Sequence, residues 1–400
     1  MPHTAPRTPR PAARPRVTVV GGGVVGLLTA HECARAGAQV TLLDAADLPN
    51  PHGASYDRHR ILRALYPGDP AATGAATAAT ARWAELSALI ADRVPGPAPL
   101  LRTGALTVLE PERARAAADT LAAAGAPVRL LDDPRRSHPP LRPERGRAGV
   151  LEPDGGILLA DRVLHGLTAL LREQPGVTLR ARARVAGLDP DRGTVRLADG
   201  EPVPGDRIVV CAGPWSRALL PPEATRGLRL YRQTQLYCAD HAVLDPALAA
   251  LPAVPALGGP HGAWLVPPAG GTPLKLSAAS ACRPVDRIDG RAAPAPLREH
   301  LTELFRDLLD GFRADWVTGA QDAYYLAEES THGPRLVELR PGRAWAFAAC
   351  GGGSFKLAPL IARSLAERAL DLPVAPTGLA HLDAGATPST TTVPHTSGIR

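Results

Sequence analysis

Val17 to Asp44 constrains this chain more than any other stretch. A Val-Thr-Val-Val strand runs into Gly21-x-Gly23-x-x-Gly26, a helix continues to about Arg35, Gly37 stops it, and a second strand, Val40 to Leu43, ends on Asp44. Gly21 permits the tight turn, Gly23 lets the backbone approach a pyrophosphate, and Gly26 lets the helix pack closely on the strand. The helix N-terminus, with Val24 and Val25, therefore faces the phosphates. Asp44 stands where a carboxylate accepts both ribose hydroxyls. Strand, helix, strand and acid in that order favour a nucleotide site over a purely structural glycine turn. The acid would repel a 2′-phosphate, so FAD or NAD is expected rather than NADP.

Four hundred residues at 45% hydrophobic content can bury two cores, which predicts a two-domain soluble protein. The five cysteines, Cys33, Cys211, Cys238, Cys282 and Cys350, are widely spaced with no Cys-x-x-Cys pair. Neither a disulfide framework nor a zinc or other metal site is suggested, and a reducing cytoplasm fits. No apolar signal core opens the chain, and its longest uncharged stretch, Pro246 to Leu274, carries seven prolines, so neither secretion nor a membrane span is expected. The net charge of +6 does not point to nucleic acid, because Arg7, Arg10, Arg14 and Arg16 crowd a proline-rich tail and the other arginines are dispersed among acids. Of the 45 basic residues only Lys275 and Lys356 are lysines. Codon bias accounts for the arginines and leaves two positions where a compact, titratable ammonium persists.

Residues 1–16 and 376–400 lack periodicity and read as disordered tails. The loop Asn50 to Tyr66 is dense in polar groups and places Arg60 and Arg63 one helical turn apart; it can cradle cofactor and substrate, or be a solvated basic loop. Helices are predicted at Thr73–Asp92, Pro111–Ala124, Asp161–Glu173 and about Leu297–Leu309. Strands are predicted at Leu106–Leu109, Thr178–Val185, Thr194–Leu197, Arg207–Val210, Leu228–Tyr237, Leu336–Leu339 and Ala344–Ala348. The turn at Gly213 suits a second cofactor contact or a simple strand-to-helix turn. Lys275 ends 29 residues without formal charge, flanked by Leu274 and Leu276, and the pattern alone favours a snorkelling surface lysine over an ammonium aimed into an apolar site. A second glycine-rich turn, Gly351-Gly352-Gly353-Ser354-Phe355-Lys356, enters a helix, and its backbone donors could hold another part of the cofactor. A cation opening a helix is disfavoured by the dipole, and an anionic partner would explain Lys356.

Together these segments resemble the sarcosine oxidase and N-methyltryptophan oxidase group of the D-amino acid oxidase superfamily. The motifs that carry the resemblance are the Gly21–Asp44 fingerprint, Gly53-Ala-Ser-Tyr-Asp-Arg-His-Arg-Ile-Leu-Arg63, Tyr231-Arg-Gln233, Leu274-Lys275-Leu276 and Gly351–Lys356. The resemblance implies FAD as cofactor, with Ser55, Arg60, Val185, Gly213 and Gly351 to Phe355 joining the fingerprint in holding it. It implies that Lys275 lies beside the flavin and promotes reaction with oxygen, and that Arg63 and Lys356 hold the substrate carboxylate in a pocket including Tyr56 and Trp264. The flavin-bonding cysteine of a Cys-x-Tyr stretch is missing from Ala320 to Tyr325, so FAD is expected to be non-covalent. Ala279 replaces a family histidine, so the substrate need not be sarcosine.

The expected fold is α/β: a discontinuous Rossmann-like FAD domain from residues 17–85, 150–222 and 330–372, and a mixed or antiparallel-sheet substrate domain from 86–149 and 223–329. The expected reaction oxidises the C–N bond of an amino acid, N-alkylated or cyclic, to an imine while O2 becomes H2O2. The alternatives are a flavin dehydrogenase with another acceptor and a non-catalytic FAD-binding protein. The sequence leaves substrate identity and oligomeric state open.

Overall fold

The computed structural model describes residues 14–239 and 246–383. Most of the two expected tails, residues 1–13 and 384–400, thus lies outside the described residues. Residues 376–383 depart from the expectation of a disordered tail: Leu379 and Leu382 are buried in the core, and Asp383 accepts hydrogen bonds from the backbones of Thr377 and Gly378.

The first strand, Arg16–Val20, lies inside a six-stranded sheet. The spatial order is Pro334–Arg340, Ala344–Cys350, Arg207–Val210, Arg16–Val20, Gln39–Leu43 and Val177–Arg180. All pairs are parallel except Pro334–Arg340 with Ala344–Cys350. Parallel strands need cover on both faces, and the valines of this sheet divide accordingly. Val17, Val19, Val40 and Leu42 join a core with the helices Val24–Arg35, Pro70–Ile90, Ala160–Glu173 and Ser354–Ala369. Val20, Leu43, Ile208 and Val210 face the other way, against a small antiparallel sheet of Val185–Asp189, Thr194–Leu197 and Pro202–Pro204.

The second sheet has nine strands and is mixed. Its order is Cys282–Val285, Leu228–Cys238, Lys275–Ala278, Ala263–Val266, Ala253–Ala256, Ala105–Leu109, Ala148–Glu152 and Arg129–Leu131, with Val317–Glu328 also paired to Leu228–Cys238. The Ala295–Leu308 helix contributes Leu301 and Phe305 to the core of this sheet. A short sheet of Arg60–Leu62, Gly156–Leu158 and Leu100–Leu101 completes the strands.

One predicted strand is broken. Thr178–Val185 divides into Val177–Arg180 in the large parallel sheet and Val185–Asp189 in the small one. Arg182 between them adopts φ 56°, and the N–H groups of Arg182 and Ala183 donate to the carbonyls of Ala46 and Asp44, which turns the chain over the end of the sheet. Among the described residues no helix is long and apolar enough to cross a membrane, and no group of three or more His, Cys, Asp or Glu side chains could hold a metal ion.

Candidate active site

The parallel strands Arg16–Val20, Gln39–Leu43, Arg207–Val210 and Ala344–Cys350 end at one edge of their sheet. That edge gathers the Gly21–Gly26 turn, Asp44, Gly213 and the Gly351–Phe355 turn, far apart in sequence. A side chain on Gly21 would collide with the Cys211 carbonyl, and one on Gly26 with the carbonyl of Gly21. These two glycines are therefore demanded by packing. Gly23 and Gly353 are the N-caps of the Val24–Arg35 and Ser354–Ala369 helices, and neither helix has a side-chain cap. Two helix starts with glycine N-caps at one sheet edge suit the anionic groups of a dinucleotide. Gly351 and Gly352 both have positive φ, and Gly352 packs against the Tyr325 ring, which shapes the second turn.

Asp44 is buried. Its carboxylate accepts the Gly22 N–H at 2.7 Å, the Ala46 N–H at 2.9 Å and the Asn50 side-chain amide at 2.8 Å. Burial pushes this carboxyl up, against those three bonds. Much of its acceptor capacity is thus taken within the protein, one bond bracing the glycine turn and two holding Ala46 and Asn50, a role its spacing alone did not suggest. Ser55 Oγ accepts the Val24 N–H at 3.1 Å. Val185 packs in the cluster that includes Val20 and Leu43, at the ends of the two fingerprint strands.

The polar loop is organised differently from its sequence expectation. Arg60–Leu62 is a strand paired with Gly156–Leu158, so Arg60 and Arg63 are not a helical turn apart. Arg60 pairs with Asp57, donates to the Ala54 carbonyl at 2.7 Å and lies 6.0 Å from the Phe355 ring centroid. Phe355 stacks on Trp83 at 5.7 Å, and Trp83 Nε1 donates to the Lys356 carbonyl at 2.8 Å.

Arg63 and Lys356 do converge, on the ring of a residue overlooked in the sequence. The Arg63 guanidinium carbon is 4.7 Å and Lys356 Nζ 5.1 Å from the centroid of the Tyr66 ring. Arg63 Nη1 is buried without a hydrogen-bond partner, while Lys356 Nζ donates to the Gly353 carbonyl at 3.0 Å. Burial pushes Lys356 below the usual lysine range. Burial would raise the Tyr66 phenol, but Lys356 and Arg63 bring it below its ordinary value. The buried Glu152 accepts the N–H groups of Ala64 at 2.6 Å and Leu65 at 3.1 Å through Oε2, while Oε1 has no partner. Burial raises the Glu152 carboxyl against those two bonds and the favourable charges of Arg63 and Lys356, so Glu152 and the Tyr66 hydroxyl are the acidic groups that face the cation at this helix start. Tyr66 could have been noticed three residues after Arg63; nothing local marks Glu152.

Lys275 is not the snorkelling surface residue its flanking leucines suggested. Its side chain is 2% exposed, with Nζ donating to Asp57 Oδ2 at 2.9 Å and to the His59 carbonyl at 2.6 Å, and lying 5.8 Å from the Trp264 ring centroid. A cleft of about 620 Å³ reaches Asp57, Tyr56, Tyr237 and Arg291. A smaller cavity of about 200 Å³ is walled by Gly53, Ala54, Trp215, Arg291, Asp322 and Tyr324. Arg291 stands in both linings and fastens the polar loop through the carbonyls of Pro51 and Tyr56. In the Val317–Glu328 strand, which has no cysteine, Asp322 is buried against Arg232 and accepts the Thr234 hydroxyl at 2.6 Å.

The fold and this sheet edge have the form of a dinucleotide-binding protein. The chain belongs to the DAO family of FAD dependent oxidoreductases, whose profile matches residues 16–368. It is 26% identical over 379 residues to the peroxisomal sarcosine oxidase of Mus musculus, covering 89% of this chain and 92% of that protein. Its fold is similar to that of glycine oxidase from Geobacillus kaustophilus, with TM-score 0.72 and 19% identity over 90% of this chain and 96% of the other. NikD in its open form, described as an unusual amino acid oxidase essential for nikkomycin biosynthesis, gives TM-score 0.72 at 21% identity, covering 89% of this chain and 93% of that one. The protein is thus an FAD-dependent oxidoreductase whose relatives include amino acid oxidases.

Proposed function

We propose that the protein oxidises the C–N bond of an N-alkylated or cyclic amino acid to an imine, with O2 reduced to H2O2. The observation that carries this reading is the pair Arg63 and Lys356, brought from opposite ends of the sequence to one aromatic ring, with a buried Arg63 donor left unpaired. An unpaired buried guanidinium N–H is costly, and a substrate carboxylate would satisfy it bidentately. The sarcosine oxidase and glycine oxidase relatives act on molecules that carry such a carboxylate. FAD, held by residues 17–85, 150–222 and 330–372, would supply the two-electron acceptor for the substrate and the reductant for oxygen. Gly23, Val24, Gly351 to Phe355 and Arg60 would line its place, and the lack of a cysteine between Val317 and Glu328 supports non-covalent attachment. Tyr56 and Trp264 would bound the substrate, and Lys275 would offer fixed positive charge where oxygen gains electrons. The widely spaced cysteines support a cytoplasmic setting.

The test compares kcat/KM for an amino acid and its methyl ester in the wild type, Arg63→Ala and Lys356→Ala. A charge-assisted hydrogen bond contributes about 1.5–3 kcal/mol, so each variant should lose about 10- to 150-fold on the acid and much of its discrimination against the ester. Equal use of acid and ester by the wild type would remove the carboxylate clamp. Turnover with a dye acceptor but not with oxygen would instead identify a dehydrogenase.

A further inference from the structure

We infer that Asp57 is a positioning residue that holds Lys275 in place as an ammonium at the wall of the active site. This rests on the reading of Lys275 as the residue that faces oxygen. The two residues are 218 positions apart, Asp57 in the loop before Arg60–Leu62 and Lys275 at the start of a strand of the nine-stranded sheet, yet their charged ends meet at 2.9 Å with side chains only 2% and 4% exposed. Two of the three ammonium donors are used, one by Asp57 Oδ2 and one by the His59 carbonyl, and the Trp264 ring flanks Nζ. The rotamer of a flexible four-carbon side chain is thereby fixed.

Asp57 is a junction rather than a simple ion-pair partner. Oδ2 faces both Lys275 and Arg60, while Oδ1 accepts the Tyr237 hydroxyl at 2.8 Å and the Arg58 N–H at 2.7 Å. One carboxylate therefore serves two cations, a phenol and a peptide group, close to its acceptor capacity. Among the described residues it is the one carboxylate within ion-pair distance of Lys275. Of the other titratable groups around Lys275, the His59 ring is kept neutral by burial, and burial raises the Tyr237 phenol, so neither supplies a negative charge at neutral pH. Burial pushes Arg60 down to about 10, which leaves it cationic. Burial first, and Arg60 second, push Lys275 well below the usual lysine range. Without Asp57 two cations would face each other in a dry site, and the amine would give up its proton before the guanidinium.

The composition of the chain makes the test direct. With only two lysines, protein grown on lysine labelled with 13C at Cε gives two lysine Cε signals, and Lys275→Met assigns them. In the wild-type holoenzyme the Lys275 signal should keep its ammonium shift through neutral pH. In Asp57→Asn its titration midpoint should fall by about 1–3 pH units, and Asp57→Glu should restore most of the difference. If Asp57→Asn is not recovered as holoenzyme, Arg60→Met carries the test, because it leaves Asp57 to Lys275 and should move the midpoint upward. Identical midpoints in the wild type and the recovered variant, or an amine shift at pH 7 in the wild type, would overturn the assignment. Anaerobic reduction followed by mixing with oxygen separates this from the functional reading. Normal reoxidation in Lys275→Met removes the oxygen role but not the charge assignment. Slow reoxidation in Lys275→Met with a midpoint indifferent to residue 57 removes the charge assignment alone.

Discussion

His59 shows how one side chain in this site links burial to pH. Its ring is fully buried, its nitrogens make no well-formed hydrogen bond, and burial followed by the charge of Lys275 holds it well below the usual histidine value. The folded protein thus refuses a proton that the unfolded chain accepts below about pH 6.5. The stabilisation is complete above that pH and is lost as pH falls from there towards the depressed folded value, at up to about 1.4 kcal/mol per pH unit. His31 and His138 are also lowered by burial and add to the slope. His59→Leu should therefore flatten the fall in urea-unfolding free energy between pH 6.5 and 5. An unchanged slope would mean that the ring is protonated in the folded state. His59 and Asp57 lie in a stretch that resemblance had already singled out, but a string of residues does not say which side chain turns inward.

At the scale of elements, the Pro70–Ile90 helix sets the position of the second glycine turn. Trp83 is completely buried, stacks on Phe355 and donates to the Lys356 carbonyl. Trp83→Phe keeps an aromatic ring but removes the hydrogen bond to that carbonyl, which should cost about 0.5–1.5 kcal/mol in chemical denaturation. Because Lys356 moves with the turn, KM for the carboxylate substrate should rise more than kcat falls; a stability loss with unchanged KM would make the contact purely structural. Elements differ in how readily their sequences announce them. Val17–Asp44 is legible because β-branched runs, helix formers and glycines agree over its whole length. Val317–Glu328 was overlooked as a strand, although it pairs along nearly all of Leu228–Cys238. Gly319, Ala320 and Asp322 are poor strand formers, and the partner strand supplies what propensity does not.

The whole molecule brings the glycine turns and polar groups proposed to contact the cofactor from separate parts of the chain to one sheet edge, so FAD should act as a tie among them. Ligand binding to the folded state alone contributes about 2.7 kcal/mol at a hundredfold excess over Kd. Apoprotein prepared by mild chaotrope treatment should melt several degrees below holoprotein and regain its Tm when FAD is added. Acid precipitation should leave the yellow colour in the supernatant. Colour held in the washed pellet would contradict non-covalent binding and direct attention to Cys350 and His59.

The sequence by itself determined the strand, glycine turn and helix at this sheet edge, because the turn, its helix and its acid are contiguous and each answers a local steric or electrostatic demand. It also marked Lys275, Lys356 and Arg63 as residues whose chemistry needed explaining. Only the tertiary structure decided which groups these cations meet. Lys356 with Tyr66, Glu152 with Arg63 and Lys356, and Asp57 with Lys275 are matched across long sequence separations. The energy of a charge depends on burial and on partners within a few ångströms, and neither is a property of neighbouring positions in the chain.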